Sequence, residues 1–260
     1  MRVLHISPHP DDELMGAPAT LMALRDAGHE VTNLALALGR EADHERRRAE
    51  LTEACRRAGF ALRIVDPPIL MSSGDDLLAA EAAARDHIAA ALSGPNPPDL
   101  IVGPGPHDVH HGHEMTGRAI RDVLAASDDS VPWWMWAIWG DLPMPTVVTA
   151  LDDERVGEIT EALSAHAGEM ERADHRVQIE ARTRVAATLA AEKIFGFGAP
   201  ALTTDRAEVV TEVVRRDGYW LLGAPRALDA LQPLANPRPL RVDAWLNAPS
   251  ARDLANGAIQ

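Results

Sequence analysis

Short apolar segments alternate with amphipathic helical segments along the first half of the chain, and this alternation most restricts its possible folds. Four apolar runs have the length of buried strands: residues 3–6, 30–38, 61–65 and 99–102. Each run is followed by a segment with helical spacing of apolar residues. Strand–helix alternation with short connections is typical of a parallel sheet covered by helices. We therefore predict an α/β fold with a mostly parallel, Rossmann-like sheet.

The second half of the chain is less regular. Residues 132–138 predict a further strand that is rich in tryptophan, and residues 156–189 predict a long helix with a break. The tail from Phe195 onward contains short apolar runs between glycines and prolines, and its elements stay unassigned. No linker or repeat interrupts the chain. We predict one domain over residues 1–260, with a core of residues 1–195 and a C-terminal extension, residues 196–260, packed on it.

Composition excludes several classes of partner. A chain of 260 residues with 46% hydrophobic residues can bury a large core. Its net charge of −14 argues against binding to nucleic acid or to an anionic membrane surface. No apolar run approaches the roughly 20 residues that span a bilayer, so we predict no membrane insertion. The single cysteine suits a reducing cytoplasm, where we expect the protein to act. The composition is also compatible with a homo-oligomer.

Two polar clusters rich in metal-binding side chains follow predicted strands. The cluster His9-Pro-Asp-Asp-Glu13 comes directly after the first strand, and the cluster between His107 and His113 follows the strand at 99–102. Right-handed crossovers place all strand-to-helix loops at the carboxyl edge of a parallel sheet, where ligands bind. We therefore expect the two clusters to meet and to form one metal site.

The residue types in these clusters suit a catalytic zinc ion, which typically keeps three protein ligands and leaves one position for water. His9, Asp12 and His113 would bind the metal, one Zn²⁺ per chain, with Fe²⁺ as another candidate. Asp11 would act as the general base, and His110, when protonated, would donate a hydrogen bond to an oxyanion. Taken singly, each cluster also fits a simple solvated turn or surface loop.

Other histidines have less specific interpretations. His5 lies inside the first strand and is predicted to be a hydrogen-bonded core residue. We predict that the remaining ones lie on the surface or at helix ends: His29, His44, His87 and His175.

The polar clusters also resemble the motifs of a known family. His9-Pro-Asp-Asp-Glu13 resembles the first motif of the PIG-L/LmbE-like zinc-dependent N-deacetylases. The segment from His110 to His113, followed by Gly117-Arg-Ala119, is similar to the second motif. Arg47-Arg-Ala-Glu-Leu51 and Ala191-Glu192 are similar to two further elements. The resemblance extends over residues 1–195.

This resemblance implies a single Rossmann-like domain and an N-deacetylase that acts on a small molecule containing N-acetylglucosamine. It implies the same metal ligands and the same roles for Asp11 and His110, and it places Arg47 toward the sugar. Gly112 departs from the pattern, because the family commonly has aspartate at this position. His107 or Asp108 would have to replace the supporting role of that aspartate.

Four tryptophans between residues 133 and 139 form a further unusual feature. Large aromatic residues dominate protein cores and interfaces and also pack against the apolar faces of sugars. We predict that two of the four are core or interface residues, and that Trp139 contacts the substrate.

Three other functions fit the same residues. One is an amidase that cleaves a conjugate between a thiol and an amino sugar. Another is a non-haem iron enzyme, because two histidines and one carboxylate also bind Fe(II) in oxygenases. The third is a binding module in which the metal only stabilises the fold.

Overall fold

A central sheet flanked by helices forms a single α/β domain in the computed structural model, which describes residues 1–72, 74–250 and 254. Its strands run in the spatial order β3-β2-β1-β4-β5-β7-β6-β9, and β8 pairs with β7. Their bounds are β1 (Arg2–Ser7), β2 (Glu30–Ala35), β3 (Ala61–Ile64), β4 (Leu100–Pro104), β5 (Trp133–Trp136), β6 (Val147–Leu151), β7 (Arg206–Arg216), β8 (Tyr219–Leu222) and β9 (Arg226–Ala227). The α/β prediction is confirmed.

Strands β1 to β5 form the parallel half of the sheet. Their order, β3-β2-β1-β4-β5, is that of a Rossmann-like fold, with the order reversing beside β1. At this switch point the loops after β1 and β4 leave the sheet next to each other. The fold therefore brings the two polar clusters to one edge of the sheet, as the sequence predicts.

Helices cover both faces of the sheet. Their bounds are α1 (Asp12–Met15), α2 (Pro18–Asp26), α3 (His44–Ala58), α4 (Leu77–Leu92), α5 (His111–Ala125), α6 (Asp153–Leu163), α7 (Ala167–Arg172), α8 (His175–Phe195) and α9 (Asp243–Leu246). Side chains alternate between the two faces along a strand, so Val3 belongs to a hydrophobic cluster with apolar residues of α2, α3 and α6, whereas Leu4 belongs to a cluster with residues of α4 and α5. This double burial explains why the strands are apolar on both faces.

The second half of the chain differs most from the sequence prediction. The long helix predicted over residues 156–189 is divided into α6, α7 and α8. The tail that could not be assigned supplies β7, which pairs antiparallel with β5, β6 and β8. The predicted extension therefore contributes an inner strand to the sheet, and its residues 251–253 and 255–260 lie outside the described part of the chain.

Among the residues with described positions, no helix combines the length and the apolar character needed to cross a membrane.

Candidate active site

The loop after β1 forms the floor of the site. Asp11 adopts a left-handed backbone conformation with φ of 107°, which is uncommon for residues other than glycine. The chain then turns into α1, and the backbone N–H of His9 donates to Asp12 Oδ2 over 2.8 Å. This turn brings the His9 ring to the same carboxylate, with 3.3 Å between His9 Nδ1 and Asp12 Oδ2.

The loop after β4 completes the site from the other side of the switch point. His113 lies in the first turn of α5, and its Nε2 is 3.2 Å from Asp12 Oδ1. The Asp12 carboxylate therefore contacts both imidazoles, whose ring centroids are 5.3 Å apart. The structure thus brings together the three side chains that the sequence predicts as metal ligands.

His110 provides a fourth donor beside these three. The ligand atoms of His9, His110 and His113 lie within 4.8 Å of one another, a spacing that could hold a metal ion. Nδ1 of His110 is buried and has no hydrogen-bond partner among the residues that the structure describes. A buried polar atom is normally satisfied, so a ligand at this position would remove an unfavourable feature.

Asp108 holds His113 in place. Its Oδ2 accepts a hydrogen bond from His113 Nδ1 over 3.0 Å, and its carboxylate also accepts from the backbone N–H groups of Ile138 and Trp139. A carboxylate on the far nitrogen fixes the tautomer and the ring orientation, so Nε2 faces Asp12. Of the two residues proposed to replace the family's aspartate, Asp108 occupies this supporting position. His107 instead contacts the backbone oxygen of Trp245.

The close approach of the His9 ring explains why glycine stands at position 112. A Cβ atom at this position would lie 2.5 Å from His9 Cε1 and 2.6 Å from His9 Nε2, well inside contact distance. The His9 ring in this orientation therefore requires glycine at position 112.

We expect Gly112→Ala to weaken metal binding by roughly 10- to 100-fold, the range found when the support of a metal-binding histidine is lost. The extra methyl group pushes the His9 ring away from Asp12, but the ring is a movable side chain, so the fold should be retained. Zinc affinity measured by competition with a chelator, together with thermal unfolding, checks this expectation. Unchanged zinc affinity in the folded variant would contradict it.

The pKa values of the two neighbouring aspartates, Asp11 and Asp12, are shifted in opposite directions, so the two side chains suit different roles. Burial, followed by the negative charges of Asp12 and Glu13, raises the pKa of Asp11 well above its usual range. Burial also opposes ionisation of Asp12, but contacts with His113 and His9 hold its pKa well below the usual range. The Asp12 carboxylate therefore favours its charged form and suits a cation, whereas the Asp11 carboxyl group binds a proton more readily than an ordinary aspartate.

The two histidines of the second loop also differ. Burial disfavours a charged His113 ring, yet Asp12 and Asp108 outweigh it and raise the pKa of His113 to about 10. Burial, and then the nearby rings of His9 and His113, lower the pKa of His110 to about 3. The expectation of a protonated His110 is therefore revised, because the ring is neutral at neutral pH and any hydrogen bond to an oxyanion comes from a neutral N–H.

A pocket of about 500 Å³ opens above these residues. Trp139 lines it and is half exposed, whereas Trp133, Trp134 and Trp136 are completely buried. The core interpretation, predicted for two of the four tryptophans, therefore holds for three. Arg47 also lines the pocket, where its guanidinium forms an ion pair with Glu169.

Several residues of the pocket region have no sequence signal that would identify them. Glu169 and His175 line the pocket from α7 and α8, and they follow the two polar clusters by more than fifty residues. Glu13 is fully buried and contacts His166 Nε2 over 2.7 Å, which ties the first loop to the chain just before α7. Only the folded chain brings these groups to the site.

Comparison with known proteins finds a family and a curated relative that the first half of the chain resembles. Residues 4–124 match the model of the PIG-L family, described as GlcNAc-PI de-N-acetylase. The probable N-acetyl-alpha-D-glucosaminyl L-malate deacetylase 2 of Bacillus cereus is 32% identical over a stretch that covers 45% of this chain and 58% of the relative. The chain therefore spans little more than half the length of that curated relative.

Solved structures share the fold over most of the chain. The deacetylase Dbv21, which acts on the antimicrobial A40926 pseudoaglycone, has a TM-score of 0.64 at 19% identity and covers 83% of this chain and 98% of its own. The N,N'-diacetylchitobiose deacetylase of Pyrococcus horikoshii has a TM-score of 0.60 at 18% identity, with 84% of each chain covered.

The fold alone does not fix the reaction. GalB, the 4-carboxy-2-hydroxymuconate hydratase of Pseudomonas putida, has a TM-score of 0.53 at 15% identity over 81% of this chain and 95% of its own. Function must therefore be argued from the site. The sequence match is more specific than the fold, and it includes both loops of the site. Residues 4–124, which match the model of the PIG-L family, carry His9, Asp12 and His113.

Proposed function

We propose that this protein is a zinc-dependent hydrolase that removes the N-acetyl group from a small molecule containing N-acetylglucosamine or a related amino sugar. One observation carries the proposal: Asp12 contacts the rings of both His9 and His113, and Asp11 lies beside it at the floor of an open pocket. The family match and the names of the relatives support N-deacetylation rather than another reaction of this fold.

The donor set fits a divalent metal ion. Two imidazoles and one carboxylate are a common set for catalytic zinc, and the same set also suits Fe²⁺. We propose that His9, Asp12 and His113 hold the ion, because Asp12 already joins the two rings. When bound, the ion would polarise the amide carbonyl and lower the pKa of a water molecule to roughly 7.

Asp11 is the proposed general base. Its buried carboxyl group, with the pKa raised above its usual range, takes a proton from the attacking water and then delivers it to the leaving amine. His110 faces the same space, with ring centroids 4.8 Å from those of both His9 and His113. Its neutral N–H donates to the oxygen that becomes negative when water adds to the amide carbonyl.

The walls of the pocket suit a sugar. Trp139 offers a half-exposed indole against the apolar face of a pyranose ring, and its ring stacks near that of His110 at 6.0 Å. Arg47, which also lines the pocket and is partly accessible, would donate to sugar hydroxyl groups. A free small molecule is the proposed partner, and the cytoplasm, expected from the single cysteine, is its proposed location.

A screen for acetate release tests the function. The full-length chain, depleted of metal and then reloaded with zinc, is incubated with N-acetylglucosamine conjugates, and acetate and free amine are both quantified. We expect equal amounts of acetate and amine, only in the presence of metal and equally well without oxygen. Release of a larger acid would favour the thiol-conjugate amidase, and a requirement for oxygen and a reductant would favour the iron enzyme. Zinc binding without any turnover would favour the alternative of a binding module in which the metal only stabilises the fold.

Replacing His110 by alanine separates its proposed role from metal binding. We expect bound zinc to be retained and turnover to fall about 10²- to 10³-fold, as when one oxyanion donor is lost. Metal analysis and steady-state rates check this expectation. His107→Ala is the matched control, because His107 lies in the same loop but contacts only the backbone oxygen of Trp245 among the described hydrogen bonds. Loss of zinc from His110→Ala would instead make His110 a ligand.

A further inference from the structure

A second cluster of metal-binding groups lines the same pocket. The ligand atoms of Asp11, Glu169 and His175 all lie within 4.8 Å of one another. Glu169 belongs to α7, and His175 is the first residue of α8. Two of these three residues lie outside the segment that matches the PIG-L family. The match to the PIG-L family therefore does not account for this cluster, and its role must be argued from its own contacts.

The histidine of this cluster is buried without a full set of partners. His175 is 7% exposed, and its Nε2 has no hydrogen-bond partner within the described part of the chain. Its other ring nitrogen, Nδ1, is 3.3 Å from Oε1 of Gln178. A hydrogen bond at Nδ1 sets the ring orientation and leaves Nε2 for a ligand. A buried imidazole with an unpartnered nitrogen and a ligand atom within 4.8 Å of two carboxylate oxygens fits a cation bound by all three groups.

We propose that Asp11, Glu169 and His175 form a second site for a divalent cation of the zinc type. One imidazole and two carboxylates are a suitable set for such an ion. We expect the site to bind more weakly than the site at His9 and His113. Arg47 and Arg172 both form ion pairs with Glu169, so a cation must compete with two guanidinium groups for that carboxylate.

Occupation of this site would inhibit the enzyme. The second ion takes Asp11 as a ligand, which removes the base that the proposed hydrolysis requires, and it fills part of the substrate pocket. This consequence, unlike the binding itself, rests on the proposed function. Activity should therefore rise with zinc until the first site is filled and fall when zinc is in excess.

Equilibrium dialysis of the full-length, metal-depleted protein against increasing zinc concentrations tests the binding. We expect the unaltered protein to show two classes of site, with one ion each. The control His87→Ala should show the same two classes, because His87 lies on α4, away from the pocket. His175→Ala and Glu169→Gln should each keep the tight class and lose the weak one. A single class in the unaltered protein, or an unchanged weak class in both folded variants, would overturn the proposal.

Arg47→Gln gives a result that a purely structural role of the cluster would not produce. Removing the competing positive charge should tighten the weak class by about tenfold or more, because unit charges a few ångströms apart interact strongly in a partly buried site. A weaker second ion in this variant would contradict the assignment. Far-ultraviolet circular dichroism and thermal unfolding establish that each variant is folded before its zinc binding is compared.

The inhibition is measured separately from the binding. Acetate release is followed across the same zinc series, and each protein is normalised to its own rate at low zinc. We expect the unaltered protein to lose at least half of its activity as the weak class fills, whereas His175→Ala should not. Two classes of site without inhibition by excess zinc would refute the inhibitory role alone. Two classes with no acetate release at any zinc concentration would refute the proposed function and leave the second site standing.

Discussion

Replacing Asp11 by asparagine is expected to slow acetate release by a factor of about 10² to 10⁴ while the tightly bound zinc stays in place. Asparagine keeps the size of the side chain but cannot accept a proton from water. It also tolerates the left-handed backbone that Asp11 adopts, with φ of 107°, better than alanine does. The loss therefore reports the missing base rather than a distorted loop.

Metal content and rate are measured on the same preparation of Asp11→Asn. Asp141→Asn is the control, because Asp141 is an exposed aspartate paired with Lys193 outside this pocket. We expect the control to match the unaltered protein in both zinc content and rate. A rate for Asp11→Asn near that of the unaltered protein would show that another group takes the proton.

The sequence predicts the parallel half of the fold well because each strand there is short, apolar on both faces and followed by a helix. Val3 and Leu4 illustrate the reason, since neighbouring residues of β1 are buried against different helical layers. His5 is confirmed as a core histidine, buried with Nδ1 2.8 Å from Asn33 Oδ1. Local patterns of this kind depend on residues close in sequence, so they can be interpreted without the structure.

The second half of the fold depends on contacts that no local pattern reveals. Strand β7 pairs with β5 across about eighty residues of chain, for example Trp134 with Glu212. Its antiparallel direction and inner position follow from the packing of the whole sheet rather than from its own residues. The same reason explains why the tail from Phe195 could not be assigned from sequence.

In the site, too, some residues could be predicted from local sequence patterns and others could not. The cluster around His9 and His113 could be predicted because each half follows a strand and the fold brings strand ends together. His175 was predicted to lie on the surface or at a helix end. It is the first residue of α8, so the helix-end prediction is confirmed, but the side chain is buried at the pocket rather than on the surface. Its partner Glu169 gave no signal because α7 is a single short helix with no pattern of its own.

His113→Ala should abolish both metal binding at the tight site and acetate release. The change removes the imidazole that joins Asp12 to Asp108, with 3.2 Å and 3.0 Å to their carboxylate oxygens. Without metal, it also leaves two buried carboxylates without their shared cation. Removing one partner from a buried ion pair costs about 3–5 kcal/mol, so the metal-free variant should unfold more easily than the metal-free parent protein.

Zinc content, acetate release and denaturant unfolding of the metal-free forms check these three effects on His113→Ala. His111→Ala is the matched control, because its ring lies two residues away and contacts the backbone oxygen of Met71 rather than Asp12. The control should keep stoichiometric zinc. If His113→Ala did so as well, the ion would have to be held by His9, Asp12 and His110 without the imidazole that Asp108 orients. Asp108 would then stabilise the loop only, and the hydrolase proposal would lose part of the geometry on which it depends.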